Sequence, residues 1–270
     1  MFFIASPLGV ATLDGFGESQ DPPLEAMELQ SWDGELVVNR KGSEKFHVCV
    51  CICTFKRPHL LERTLKGVEL QNTGQRFVCS IVVCDNDSEA SAKSIVDEFT
   101  KTAEISITYC VEPEQNIARA RNRALGHARG DFVAFIDDDE FPGEHWLATL
   151  VSACEQYHAD GVLGPVRPHF DQPPPSWVIR GKFCERPEYR TGLTLAWDQT
   201  RTGNVLFKRE ILDGIPVPFR EEFGNGGEDQ EFFRALMRRG SRFVWCNEAI
   251  VYEVVPPERW TRWYMLRRGL

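Results

Sequence analysis

The stretch Phe132-Val133-Ala134-Phe135-Ile136-Asp137-Asp138-Asp139-Glu140 joins five apolar residues directly to four acidic ones. A short apolar run of this kind predicts a buried strand, so the acids stand at the carboxyl end of that strand. Four adjacent carboxylates repel one another unless a cation binds among them. Mg²⁺ or Mn²⁺, held by one or two carboxylates and by substrate phosphate oxygens, fits this arrangement. A solvated acidic turn that caps the next helix is the alternative.

Apolar strands and amphipathic helices alternate on both sides of this stretch. Strands are predicted at residues 47–53, 78–84, 105–110, 202–208 and 242–246. Helices are predicted between them, with Pro58 in one first turn, Ser88 as an N-cap, and further helices over residues 117–128 and 228–239. This alternation predicts an α/β fold in which helices flank a mostly parallel central sheet. Ligands of such sheets bind beyond the carboxyl ends of the strands.

Three segments are predicted along the chain. Residues 1–45 lack a sustained period and form an amino-terminal extension. Residues 46–255 carry the alternating pattern and form the domain. Residues 256–270 are basic and aromatic, and rings interleaved with arginines suit the headgroup layer of an anionic membrane. A closing helix whose aromatic residues pack on the domain is the alternative.

Composition limits the function further. The net charge of −9 opposes nonspecific nucleic-acid binding, which needs Lys and Arg to neutralise phosphates. No apolar run reaches the roughly eighteen residues of a membrane-spanning helix, and the chain does not open on a basic secretory signal. Nine cysteines without CxxC pairs predict buried, reduced thiols. We therefore expect a cytoplasmic protein that makes peripheral contact with the inner membrane face through residues 256–270.

Polar residues also follow two other predicted strands. Within Asp85-Asn86-Asp87-Ser88, Asp85 can accept hydrogen bonds from a nucleobase, and ordinary turn chemistry is the alternative. Within Thr54-Phe55-Lys56-Arg57-Pro58, a basic pair precedes a helix start and suits a phosphate group, and a solvated basic turn is the alternative. Arg119 and Arg121 either add positive charge near these residues or occupy an exposed helix face.

A glycine-rich stretch, Gly224-Asn225-Gly226-Gly227-Glu228-Asp229, opens the predicted helix over residues 228–239. Glycines permit a tight turn and a close backbone approach. A carboxylate that follows them is either a helix cap or a general base for a hydroxyl nucleophile.

Together these motifs resemble the family-2 inverting glycosyltransferases. The resemblance rests, in chain order, on TFKRP (54–58), DNDS (85–88), NIARARN (116–122), FIDDDE (135–140), GNVLFKR (203–209) and GGED (226–229). It spans about residues 48–253 and is strongest to bacterial exopolysaccharide glucosyltransferases of the succinoglycan type. It implies the GT-A fold, a Rossmann-like fold that binds nucleotide-diphospho sugars.

The resemblance also implies roles for single residues. Asp137 and Asp139 correspond to the outer positions of the DXD motif, which binds Mn²⁺ or Mg²⁺ and the donor diphosphate. Asp229 corresponds to the catalytic base, with Glu228 beside it. The expected nucleotide contacts are Thr54, Arg57, Asp85 on the uracil edge, Arg121, and Asp138 on the ribose. Gly203, Asn204 and Arg209 correspond to residues that line the donor and acceptor cleft.

The implied reaction is metal-dependent, inverting transfer of a hexose, glucose from UDP-glucose, to a carbohydrate or lipid-linked saccharide in polysaccharide biosynthesis. Single addition is expected, because Arg259-Trp260 lacks the glutamine of the Q-x-x-R-W motif in processive synthases. A sugar nucleotidyltransferase is one alternative, although residues 54–58 contain no glycine. A non-catalytic carbohydrate- or nucleotide-binding module is another. A dehydrogenase would require GxGxxG, which is absent.

Overall fold

A computed structural model describes residues 29–32, 35–38, 45–224 and 226–269. Its contacts divide the chain into two units, residues 1–44 and 45–270. In the first unit, strands β1 (Leu29–Trp32) and β2 (Glu35–Val38) pair antiparallel. The remainder of the predicted extension lies outside the described residues.

The second unit contains ten strands and seven α-helices within the described residues. The strands are β3 (Phe46–Thr54), β4 (Phe77–Asp85), β5 (Ser106–Val111), β6 (Phe132–Phe135), β7 (Glu140–Pro142), β8 (Gly161–Leu163), β9 (Val166–His169), β10 (Val205–Lys208), β11 (Phe243–Trp245) and β12 (Val251–Val254). The helices are α1 (Pro58–Glu69), α2 (Lys93–Thr100), α3 (Ile117–His127), α4 (Trp146–Gln156), α5 (Ser176–Gly181), α6 (Glu228–Arg238) and α7 (Arg262–Gly269).

The central sheet has seven strands in the order β11-β8-β10-β6-β3-β4-β5. Strands β3, β4, β5 and β6 are parallel, and β10 runs antiparallel to both of its neighbours. The predicted α/β fold with a mostly parallel sheet is therefore confirmed.

Alternate residues of β3 belong to different hydrophobic cores. Val48, Val50 and Ile52 pack with residues of α1, α2 and α4 on one face. Cys49 and Cys51 pack with the alanines of α3 and the phenylalanines of α6 on the other. Helices thus cover both faces of the sheet, as the near-continuous apolar strands require. Six of the nine cysteines are buried.

Two local predictions were wrong. Ser88 does not cap a helix, because residues 86–92 first form turns and α2 begins only at Lys93 with Ala92 as its N-cap. The strand predicted at 202–208 is shorter, because Asn204 has a positive φ of 58° and the strand begins at Val205. A second sheet, in the order β7-β12-β9, was not predicted. Its strands have three or four residues, too few for a visible period.

The carboxyl-terminal segment begins as part of the domain. Pro257–Trp260 form a 3-10 turn, and the buried Trp260 ring meets Phe170 edge-on at 5.6 Å between centroids. For Trp260, packing on the domain was therefore the correct alternative. By contrast, Trp263 and Leu266 in α7 are 70% and 55% exposed. Across the described ranges, no helix combines the length and apolarity needed to cross a bilayer.

Candidate active site

Three strand ends meet at one edge of the central sheet. Thr54 at the end of β3 pairs with Asp85 at the end of β4, and β6 leads into the acids on the other side of β3. The Thr54 hydroxyl donates to Asp138 Oδ2 at 2.6 Å. Arg57 donates to Asp138 Oδ1 at 2.5 Å and to Asp139 Oδ2 at 2.8 Å. The TFKRP and DDDE motifs therefore form one hydrogen-bonded group.

Asp138 lies at the centre of this group and is fully buried. Burial raises the pKa of its carboxyl to about 7, against the attraction of Arg57. Both oxygens already accept hydrogen bonds, from Thr54 and Arg57. The Asp138 side chain therefore holds Thr54 and Arg57 in place, and its expected contact with the ribose stays a prediction.

Asp137 and Glu140 offer free carboxylate oxygens. The Asp137 side chain is 43% exposed. Glu140 is buried, its Oε2 accepts the Asp137 amide at 3.2 Å, and its Oε1 has no hydrogen-bond partner among the residues that the structure describes. A Cβ on Gly203 would lie 2.8 Å from Glu140 Oε1 and 3.2 Å from Asp137 Oδ2. Gly203 therefore lies directly against both acids, and a side chain at this position would crowd them.

Arg121 connects these acids to the glycine-rich motif. Its Nη1 donates to Glu228 Oε1, and its Nη2 lies 3.9 Å from Asp137 Oδ1. Arg121 is buried, so the alternative of an exposed helix face does not apply to it. Arg119 instead pairs with Glu114 and Glu221.

Glu228 and Asp229 differ in how accessible their carboxylates are to solvent and ligands. Glu228 is buried against Arg121, and in the described ranges, which leave out residue 225, its Oε2 has no hydrogen-bond partner. Asp229 is half-buried in the first turn of α6, where its Oδ1 accepts the Gln230 amide at 2.7 Å. Gly226 and Gly227 precede them at φ values of 136° and 89°, which disfavour residues with a side chain. Of the two acids, Asp229 is the one an incoming hydroxyl can reach.

Three other residues expected to contact the donor or the acceptor have protein partners in the structure, and their ligand contacts stay predictions. Asp85 is fully buried and accepts from the Asp87 and Ala92 amides and the Tyr109 hydroxyl, so it orders the loop after β4. Asn204 is also fully buried, bonded to Trp146 Nε1 and to the carbonyls of Pro165 and Ala249. Arg209 donates its amide to the Asp131 carbonyl, just before β6 begins, at the strand end opposite the acids.

Four charged residues near the acids were not found from the sequence. Arg259 contacts Asp139 Oδ2 at 3.3 Å and Glu253 Oε1 at 2.9 Å, and Arg186 also pairs with Glu253. Arg201 lies two residues before Gly203. These residues come from irregular segments and from β12, whose fold the sequence pattern did not predict. Arg259 was predicted to belong to the membrane-contacting segment and to match the arginine of an incomplete Q-x-x-R-W motif, but nothing in its local sequence indicated Asp139.

Of the acids that follow β6, some have free oxygens that suit a divalent cation and others do not. Among the described residues, no three His, Cys, Asp or Glu side chains converge as a ready metal site. Asp139 Oδ2 is shared by Arg57 and Arg259. However, burial raises the pKa of Glu140 well above its ordinary value, and its unpartnered Oε1 lies near Asp137. A cation beside Asp137 would give this buried oxygen the partner it lacks.

Sequence comparisons place these motifs in a known group. The model of "Glycosyl transferase family 2" matches residues 49–215. Succinoglycan biosynthesis protein ExoM of Rhizobium meliloti is 34% identical over 233 residues, which cover 84% of this chain and 72% of that protein. WfaP of Escherichia coli, a UDP-Glc:alpha-D-GlcNAc-diphosphoundecaprenol beta-1,3-glucosyltransferase, is 26% identical over 67% of this chain and 62% of its own length.

Solved structures agree with the fold. TarS of S. aureus in complex with UDP aligns with a TM-score of 0.59 and 19% identity, over 78% of this chain and 61% of that one. Mannosyltransferase PcManGT from Pyrobaculum calidifontis, in complex with GDP-Man and Mn²⁺, aligns with a TM-score of 0.61 and 21% identity, over 82% and 60%. The central sheet and its flanking helices are therefore those of the GT-A fold.

Proposed function

The chain belongs to glycosyltransferase family 2, and from that premise we propose that it is an inverting, metal-dependent hexosyltransferase of polysaccharide biosynthesis. The donor is a UDP-sugar, UDP-glucose in the first instance, and one sugar is added per reaction. The observation that carries the proposal is the position of Asp229. This accessible carboxylate follows Glu228, which Arg121 connects to Asp137 at the sheet edge.

The arrangement divides the reaction between two sets of residues. Asp229 accepts the proton of the acceptor hydroxyl as that oxygen attacks the anomeric carbon. Asp137, with Glu140 beside it, would hold Mn²⁺ or Mg²⁺, which when bound neutralises charge on the departing diphosphate. Arg57 and Arg121 hold Asp138, Asp139 and Glu228 in place. Direct displacement at the anomeric carbon inverts its configuration.

Two relatives support the proposed class of acceptor. WfaP acts on a diphosphoundecaprenol-linked sugar, and ExoM takes part in succinoglycan biosynthesis. We propose a saccharide acceptor carried on a lipid, reached at the inner membrane face. The exposed Trp263 and Leu266 of α7 support peripheral contact with that surface.

The test is UDP release from UDP-glucose with Mn²⁺, first without an acceptor and then with lipid-linked saccharides. Slow release by the parent and its loss in Asp229→Asn are expected. A panel of nucleotide sugars, scored by metal-dependent thermal stabilisation, identifies the donor, because a ligand of the folded state raises the melting temperature. A protein that binds UDP-glucose but never releases UDP would instead be a binding module. Release of pyrophosphate from UTP and a sugar phosphate would indicate the nucleotidyltransferase.

A further inference from the structure

Arg201 is a cation whose charge is not matched by an ion pair. Among the described residues no carboxylate oxygen lies within 4 Å of its guanidinium, whereas Arg57, Arg121, Arg186 and Arg259 each have at least one such partner. Within the part of the chain that the structure describes, its one side-chain hydrogen bond is a long one, 3.5 Å from Nη2 to the Pro187 carbonyl. At least four of its five N–H donors thus have no acceptor among those residues.

The surroundings of Arg201 make this charge costly. Burial, and then the neighbouring Arg186, lower the pKa of Arg201 below its ordinary value. A partly desolvated cation beside a like charge destabilises the folded chain unless an anion compensates it. Uncompensated charges of this kind are concentrated at functional sites.

Arg201 also lies inside the candidate active site. The chain passes from Arg201 through the buried Thr202 to Gly203, which lies against Glu140 and Asp137. The negative charges of Glu140 and Asp229 act in the opposite direction to burial and raise the pKa of Arg201. Arg201 therefore lies near enough to Glu140 and to Asp229 for both negative charges to act on its guanidinium, and it is two residues from Gly203, which lies against Glu140 and Asp137.

We propose that Arg201, supported by Arg186, forms an oxyanion subsite of the cleft that binds a phosphate group. The inference deepens the proposed function and rests on it for the identity of the cleft. Two ligands carry such a group there: the diphosphate of the donor and the diphosphate through which a lipid carrier holds its saccharide.

The first measurement is binding of inorganic pyrophosphate, by calorimetry in EDTA, to the parent, Arg201→Gln, Arg201→Lys and Arg190→Gln. Arg190 is the matched control, since it is an exposed arginine of the same connection and lies outside the proposed machinery. We expect Arg201→Gln to weaken binding about tenfold or more, the usual worth of a charge-assisted hydrogen bond. Arg201→Lys should retain part of the affinity, and Arg190→Gln should match the parent.

A second titration, with Mn²⁺ and saturating UDP in place of EDTA, distinguishes the sources. Loss of pyrophosphate binding assigns the subsite to the donor diphosphate, and retained binding that still depends on Arg201 assigns it to the acceptor. The proposal is overturned if the parent does not bind pyrophosphate or if Arg201→Gln binds it as well as the parent.

Thermal unfolding separates this role from a structural one. Removing an uncompensated charge should leave the melting temperature of Arg201→Gln unchanged or higher. A lowered melting temperature with lost binding would mean that Arg201 supports the fold, and would overturn the proposal. Because the EDTA titration involves neither metal nor sugar transfer, it can succeed even if UDP-glucose is never cleaved.

Discussion

At the scale of single residues, the carboxylates of the candidate site differ in what already binds them. Asp138 and Asp85 have hydrogen bonds to both oxygens and are buried. Asp139 pairs with two arginines. Asp137 and Asp229 remain accessible. Accessible carboxylates can exchange ligands and protons, so we expect mutations at these two positions to affect function more than folding.

Asp229→Asn should keep the affinity for UDP-glucose and lower turnover by about 10²–10⁴, the usual contribution of a positioned proton acceptor. Steady-state kinetics and donor titration measure the two quantities separately. Asp213→Asn, an exposed acid without a side-chain partner among the described residues, is the control. A parallel loss of donor affinity would make Asp229 a binding group.

The two outer acids of the DXD motif should differ. Asp137→Asn should remove the Mn²⁺-dependent gain in UDP affinity with little change in melting temperature. Asp139→Asn should chiefly lower the melting temperature, because Asp139 Oδ2 is held by Arg57 and Arg259 and the change leaves both arginines with fewer partners. If Asp137→Asn binds UDP with Mn²⁺ as the parent does, the metal assignment is wrong.

Asn204→Ala tests a structural role. The change leaves Trp146 Nε1 and two carbonyls without their partner, in a residue whose positive φ suits asparagine better than alanine. We expect it to lower the free energy of unfolding by about 2–4 kcal/mol. Asn72→Ala, at an exposed turn, should cost far less in the same denaturant titration. Unaltered stability in Asn204→Ala would contradict the structural role and would favour a ligand contact for Asn204.

Sequence reasoning located these residues better than it assigned their roles. The carboxyl ends of three strands were found from hydrophobic pattern alone, and the structure brings their acids and basic residues together. Whether a given side chain faces the ligand depends on partners distant in sequence, such as Tyr109 for Asp85 or Trp146 for Asn204. Local spacing carries no information about such partners.

At the scale of elements, the carboxyl-terminal segment has two parts. The 3-10 turn Pro257–Trp260 inserts Trp260 into the domain and brings Arg259 to Asp139. Helix α7 keeps Trp263 and Leu266 exposed, beside the exposed Arg262 and Arg267. The 3-10 turn is part of the candidate site. Only α7 exposes apolar and basic side chains that can contact a membrane.

We therefore expect the parent to sediment with vesicles of anionic phospholipid and a chain truncated after Thr261 to stay in the supernatant. Truncation at this point keeps Arg259 and Trp260, so the fold and the contact with Asp139 are preserved. Phosphatidylcholine vesicles serve as the neutral control, since basic residues should add little there. Equal sedimentation of both chains with anionic vesicles would contradict membrane contact through α7.

At the scale of the whole molecule, the parallel half of the sheet was predictable and the antiparallel half less so. Strands β3 and β4 each have nine residues and a long apolar pattern. Strands β7, β8 and β11 have three residues each, and β12 has four. Of these four strands only β11 was predicted, within residues 242–246. Strands this short are specified by their neighbours and not by a period of their own, so β7, β8 and β12 were not predicted.

Residues 1–44 and 45–270 form separate units by their contacts. Deleting residues 1–44 should therefore leave a chain that unfolds in one cooperative transition, within about 2 °C of the parent melting temperature. Unfolding followed by circular dichroism and by tryptophan fluorescence should coincide, as two-state behaviour requires. An insoluble product, or two separated transitions, would contradict the independence of the second unit.

The position of β10 has a consequence for synthesis of the chain. This strand lies between β6 and β8, so one edge of β6 has no partner until residues 205–208 leave the ribosome. The 70 residues from Phe135 to Val205 take roughly 4–14 s at about 5–20 residues per second. During that interval an apolar strand edge is open to other nascent chains. Slower translation lengthens this exposure. The yield of soluble protein should therefore depend on translation rate and on chaperone supply, and not only on the stability of the folded chain.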